Sequence, residues 1–219
     1  MTKIYTMKKL LLVLAVVLFA NVARAEGFGF HLGGKLGYQT ANLSYKKADI
    51  ESGFANHFTA GIFGRVTVKD FIIQPELLWF KSSQVFNLEN DGILNPTLTM
   101  NQQNLALPIF LGYQFWDLKI VKFRANVGPV MYFVVDQTNK CDYDNQSLDV
   151  KANGMTWGGA VNLGIDVLMF TLDINYSFGL TDIVKANELT IGGENFKIDN
   201  TKQSIFTVTL GVKLFSFGL

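Results

Sequence analysis

The stretch Val121-Lys122-Phe123-Arg124-Ala125-Asn126-Val127-Gly128-Pro129-Val130-Met131-Tyr132-Phe133-Val134-Val135-Asp136 decides how this chain folds. Phe123, Ala125, Val127, Pro129, Met131, Phe133 and Val135 share one parity, and Lys122, Arg124, Asn126, Tyr132 and Asp136 share the other. Successive side chains leave a strand on opposite sides, so a period of two means a β-strand with unlike faces. The alternation recurs. Phe58, Ala60, Ile62, Gly64, Val66 and Val68 oppose His57, Thr59, Phe63, Arg65 and Thr67. Leu172, Ile174, Tyr176, Phe178 and Leu180 oppose Thr171, Asp173, Asn175, Ser177 and Thr181. Phe206, Val208, Leu210, Val212 and Leu214 oppose Thr207, Thr209, Gly211 and Lys213. Eight strands are predicted, at about 29–43, 56–68, 71–84, 102–116, 121–136, 154–167, 170–183 and 203–217.

The connections alternate in length. Val68 reaches Phe71 through Lys69 and Asp70, Trp116 reaches Val121 quickly, and Val167 reaches Phe170 more quickly still. Long polar segments lie at about 44–55, 85–101, 137–153 and 184–202. An up-and-down barrel crossing a membrane has this asymmetry, with short turns at the periplasmic rim and long loops outside. A soluble lipocalin-like barrel is the competing architecture, and it would hold its apolar face inside.

Charge separates the two. Lys35, Arg65, Glu76, Lys122, Arg124, Asp166, Asp173 and Lys213 lie on the less apolar parity, while the apolar parity is nearly free of charge. With Trp79, Tyr113, Trp157, Tyr176 and Phe215 near strand ends, the pattern predicts a lipid-facing band with aromatic girdles. The expected fold is all-β: an eight-stranded antiparallel up-and-down transmembrane β-barrel. Pro75, Pro108 and Pro129 fall inside strands; each removes a ladder donor, so bulges or ladder defects are expected there.

Residues 1–25 read as a cleaved signal peptide, with Lys3, Lys8 and Lys9 ahead of an apolar run from Leu10 to Ala20, and Ala23 and Ala25 before the cleavage point. That run is about half of the roughly 20 residues that a helical bilayer span requires. Residues 26–219 then form one outer-membrane barrel domain, with outer-membrane lipid as its first partner. The single cysteine, Cys141, forms no internal disulfide and lies far from the cleavage point where a lipoprotein would need it. With no second thiol, and both histidines distant in sequence, no metal site and no cofactor are expected. A net charge of +1 argues against nucleic acid as a partner.

Several short motifs resemble the PorT-type family of outer-membrane β-barrel proteins, a porin family of Gram-negative envelopes. They are Gly34-Lys35-Leu36-Gly37, Gln74-Pro75-Glu76-Leu77-Leu78, Leu107-Pro108-Ile109-Phe110-Leu111, Val127-Gly128-Pro129 and Gly179-Leu180-Thr181-Asp182-Ile183. The resemblance spans almost all of 26–219 and implies the barrel fold; the link of PorT itself to type IX secretion is not carried over. The family commonly has an acidic residue two before the fourth-strand proline and a basic one four after it. This chain has Ala106 and Gly112 there, so a lumenal charge network implied by the family is incomplete at that strand.

Side chains fill the space inside eight strands, so no water-filled pore is expected. The eight inward charges are near balance, as a buried ion-pair network requires, with Asp136 as a further acid at a rim. Their expected role is a structural plug. The functional alternative is a narrow transport path or a small-anion site near Lys122 and Arg124. A lipid-modifying enzyme would need a nucleophile beside a base, and His31 and His57 have no sequence-predicted Ser and acid partners, so a noncatalytic barrel is expected. Asp142-Tyr143-Asp144-Asn145 lacks the full twelve-residue calcium loop. Loop residues such as Phe86, Tyr143 and Phe196 are candidates to meet other envelope proteins or a surface ligand. The expected role is envelope structure, adhesion or assembly.

Overall fold

The computed structural model describes residues 27–44, 55–87, 97–141, 153–182, 188–191, 194–197 and 202–218. The expected signal peptide and the Asp142–Asn145 segment lie outside them, as does most of the expected loop sequence. Ten strands are described: β1 (Phe28–Ser44), β2 (Ala55–Val68), β3 (Phe71–Asn87), β4 (Thr97–Asp117), β5 (Val121–Cys141), β6 (Met155–Val167), β7 (Phe170–Gly179), β8 (Glu188–Ile191), β9 (Glu194–Lys197) and β10 (Lys202–Gly218). Eight close into a barrel in the order β1-β10-β7-β6-β5-β4-β3-β2, with β8 and β9 paired separately as a hairpin between β7 and β10. Every barrel pairing is antiparallel, and closure is made by β1 on β10, from Gly29 opposite Gly218 to Ser44 opposite Lys202.

The three short turns share one rim. Lys69, Lys119 and Leu168 adopt positive φ there, at 54°, 68° and 54°. These left-handed conformations cost a non-glycine residue energy, and backbone bonds to neighbouring strands hold them. Lys69 N donates to Gly27 O at 2.9 Å, Gln114 N to Asp70 O at 2.8 Å, Leu168 N to Ile120 O at 3.2 Å, and Lys213 N to Met169 O at 2.7 Å.

Exposure settles which face is inside. Val127 is 61% exposed, whereas Arg124, three residues earlier on the opposite face, is 1% exposed. Leu36, Phe58, Ile62, Ile73, Leu111, Leu163 and Leu210 are exposed, while Lys35, Arg65, Glu76, Asp166 and Asp173 are buried. This is the reverse of a lipocalin. On β3 the outward row runs Phe71, Ile73, Pro75, Leu77, Trp79 and then turns polar at Lys81, whose Nζ sits 5.8 Å from the Trp79 ring centroid. Those eight steps, at about 3.3 Å each and tilted by about 40°, give roughly 20 Å of apolar height, close to the ~25 Å band of a membrane barrel. Near the short-turn rim Phe71 meets Tyr113 edge-on at 5.5 Å, and Trp116 meets Phe123 at 5.7 Å.

Three bulges tune this belt. Against β1 the register shifts between Leu32 and Gly33, so that Lys213 opposite Gly33 faces in while Phe215 and Phe217 stay exposed. Against β5 it shifts between Gln114 and Trp116, leaving adjacent Phe115 and Trp116 both exposed. The third lies between Gln103 and Asn104. The prolines behave differently. Around Pro75, Pro108 and Pro129 the ladder pairs lapse and then resume in the same register. Proline withdraws a donor without adding a residue, so the defect is a gap and not a bulge.

Two sequence expectations change. The seventh strand ends at Gly179, not at 183, because the regular ladder stops there: Leu180 N and Thr181 N both donate to Trp157 O, at 2.8 and 3.3 Å, while Trp157 N donates to Thr181 Oγ1 at 2.8 Å and Asn153 Nδ2 to Asp182 O at 2.7 Å. In the other direction, β4 begins at Thr97 and β5 runs to Cys141. Both continue past the apolar belt into sequence expected to be loop.

Candidate functional site

Inside the barrel the side chains form two tiers. The tier nearer the short turns is charged. Arg65 from β2 pairs with Asp166 from β6, and its Nε donates to Gln74 Oε1 at 2.5 Å. Gln74 Nε2 donates to Glu76 Oε1, and Glu76 pairs with Lys35 from β1. Lys35 Nζ lies 2.7 Å from Asp173 of β7, whose other oxygen is 2.6 Å from Arg124 Nη2 of β5. Arg124 returns to Asp166 at 3.4 Å. The contacts thus close a ring around the lumen. Lys213 of β10 joins it at Asp166, 3.1 Å away, and Thr171 accepts from Arg124.

Small residues make room for these long side chains. A Cβ at Gly164 would overlap the Arg124 guanidinium, and one at Gly211 would come within 2.6 Å of Thr171 Cγ2 and 3.0 Å of Lys35 Cγ. Phe63 lies among the cations, with Lys35 Nζ at 5.1 Å and Arg65 Cζ at 5.4 Å from its ring centroid. The ring faces attract both cations, since an aromatic face carries partial negative charge.

Seven of the eight expected charges come together in this way: Lys35, Arg65, Glu76, Arg124, Asp166, Asp173 and Lys213. Lys122 does not. Its side chain is 32% exposed at the short-turn rim, 3.0 Å from the carboxylate of Asp117. Parity places Lys122 on the inward side, but as the second residue of β5 it reaches only the mouth. Asp136 is exposed near the opposite end and accepts from Gln103 Nε2 at 3.3 Å. Gln74 is the link that sequence reasoning missed; it lies in the Gln74-Pro75-Glu76 motif, yet a neutral amide gives no charge signal. β4 adds no charge to the ring, in keeping with Ala106 and Gly112 in place of ionisable residues.

The tier nearer the loops is divided: one wall is apolar, and the other carries the buried polar side chains of Gln39, Thr59, Ser177 and Thr207. Leu78, Phe80, Ala106, Phe110, Val130, Ala160 and Ile205 form a buried cluster, with Tyr132 packed against it. Tyr132 donates to Ser177 Oγ at 2.6 Å, and between the tiers Asn126 Nδ2 donates to Asn162 Oδ1 at 2.5 Å. The free space between this cluster and the polar wall of Gln39, Asn175, Ser177 and Thr207 is about 10 Å³, about the least that can hold one water.

Neither histidine has a carboxylate bonded to its ring among the described residues. His57 Nε2 accepts from Ser83 N at 2.9 Å where the β2–β3 ladder has ended, and His31 Nδ1 lies 2.9 Å from Ser216 Oγ near the short-turn rim.

Among solved structures, the outer membrane protein OprG from Pseudomonas aeruginosa is similar with a TM-score of 0.52 and 12% identity, covering 89% of this chain and 97% of that one. Neisserial surface protein A is similar at TM-score 0.46 and 14% identity, covering 86% of this chain and 100% of that one. The attachment invasion locus protein Ail of Yersinia pestis, in complex with sucrose octasulfate, has a TM-score of 0.46 and 11% identity, covering 88% of this chain and 99% of that one. No curated protein matches the sequence. The family described as outer membrane protein beta-barrel domain matches residues 19–185, most of the chain. With its closed antiparallel barrel and its apolar outer face, the chain belongs to that outer-membrane family.

Proposed function

We propose that the chain is a noncatalytic, PorT-type outer-membrane barrel whose lumen is closed by its own side chains. Its role lies in envelope structure, adhesion or assembly with other envelope proteins. The short turns face the periplasm and the long segments face outward, in keeping with the turn and loop asymmetry of outer-membrane barrels. The observation that carries this reading is the pairing of the two tiers. The charged ring spans the lumen, and the apolar cluster above it leaves about 10 Å³. A hydrated ion would have to break buried pairs, which is costly, and then shed its water to pass a constriction lined by both apolar and polar side chains, Gln39, Ser177 and Thr207 among the latter. The outer segments then carry whatever contact the protein makes. The test is current across planar bilayers containing the purified barrel: an absence of unit steps is expected, and ohmic single-channel steps would overturn the closed lumen.

A further inference from the structure

The lumen opens at the short-turn end into a cavity of about 370 Å³, lined among others by His31, Arg65, Lys69, Lys122, Lys213 and Ser216. Three acids share the wall: Asp70, Asp117 and Asp166. Asp117 is taken by Lys122 at 3.0 Å. Asp166 is divided among Arg65, Arg124 at 3.4 Å and Lys213 at 3.1 Å. Asp70 lies outside the ring and is met by Tyr113 Oη at 3.5 Å, so the ring itself, with Lys35, Arg65, Arg124 and Lys213 against Glu76, Asp166 and Asp173, is short of negative charge on the side of the cavity. Lys35 contacts two carboxylates, Glu76 and Asp173, and Arg124 contacts Asp173 and Asp166. Among carboxylates Arg65 and Lys213 contact Asp166 alone; Arg65 also donates to Gln74 Oε1 at 2.5 Å, and Lys213 Nζ to Leu168 O at 3.3 Å. Arg65 is 2% exposed, and its Nη2 has no hydrogen-bond partner; Asp166 Oδ1 has none either, and it lies 3.4 Å from Arg124 Nη2. A buried guanidinium with a spare donor, facing a carboxylate it must share, is stabilised by an added anion.

We propose that this mouth cavity binds one small phosphate-type oxyanion, with Arg65 and Lys213 as the principal charges and Lys122 nearer the entrance. A guanidinium fork beside compact ammonium groups suits an anion with several acceptor oxygens. Ser216, 2.9 Å from His31 Nδ1, and Gln114, whose Nε2 donates one hydrogen to Asp117 Oδ2 at 3.3 Å, add neutral polar groups to the same wall. The anion is a soluble one. A lipid headgroup would lie against the outer face, where the exposed Phe115 and Trp116 offer it no charge.

The test is calorimetric titration of the purified barrel, in nonionic detergent micelles at low ionic strength, with inorganic phosphate and separately with glycerol phosphate. Saturable binding of both is expected. Lys213→Gln should weaken it roughly tenfold, in line with the loss of a charge-assisted contact. Lys122→Gln should weaken it less, and Lys81→Gln, on the outer face toward the loops, should leave it unchanged. Heat-modifiable gel migration shows that each variant is folded; if Lys213→Gln does not fold, Lys122→Gln and Ser216→Ala carry the comparison. The site is overturned by the absence of saturable heat, by variants at the mouth that bind as the wild type does, or by binding that arises only when phosphatidylglycerol is added. None of these results bears on whether the barrel conducts, which the bilayer current reads separately.

Discussion

At Gly164 the missing side chain is what seats the charged ring. A Cβ there would overlap the guanidinium of Arg124, which is 1% exposed and held by Asp173 at 2.6 Å. Gly164→Ala should therefore destabilise the barrel by about 1–3 kcal/mol in urea unfolding, as overpacking does. Gly34→Ala is the control: its Cβ would find only Gly61 O, at 3.9 Å, and a change within about 0.5 kcal/mol is expected. Equal effects at the two sites would refute the packing account. Asp166 is the most heavily shared group, in contact with Arg65, Arg124 and Lys213. Asp166→Asn removes the one carboxylate that meets Arg65 and Lys213 and leaves Arg124 with Asp173 alone, so a loss of about 3–5 kcal/mol is expected by the same measurement. Most members of the ring are legible by parity, because an ionisable residue among inward positions stands out. Gln74 is not, since an amide reads as any polar residue. Lys122 misleads because parity reports side and not depth.

Among the strands, the outward rows carry the contact with lipid, and β5 offers the cleanest test. Val127 is 61% exposed and lies well inside β5 (Val121–Cys141), with apolar outward neighbours Ala125 and Pro129 on the same row. Val127→Arg should cost roughly 2–4 kcal/mol if it lies near the bilayer midplane, read from unfolding in lipid vesicles; a neutral outcome would count against lipid contact at this row. Strand existence and facing are legible because both follow from local alternation. Strand ends are less so. Above Trp79 the outer face turns polar at Lys81 and Ser83, and polar residues on both faces read as loop even where the ladder continues. Bulges are likewise hidden, since one extra residue such as Leu214 resembles ordinary alternation until its partner strand is known. The proline defects were legible as to place, but only the register shows that they are gaps.

For the whole molecule, closure is the property on which everything inside depends. β10 pairs with both β1 and β7, so a chain ending at Thr201 loses two ladders and leaves two open edges, which a bilayer does not tolerate. The intact protein should migrate differently before and after boiling in detergent, and the truncated one identically; a shift that survives truncation would refute closure by β10. Local alternation suffices for the all-β class, the eight barrel strands and the side on which each charge lies, because a period of two is set by neighbouring residues alone. How deep each inward side chain sits, and which charges meet, follow from closure of the barrel. Arg65 and Asp166, 101 positions apart, touch through the register of the closed sheet, and that register depends on every ladder at once. The apolar wall of Leu78, Phe80 and Phe110 was hidden for a related reason. Where inner and outer faces are both apolar, alternation fades, and only the closed barrel shows which of them face one another.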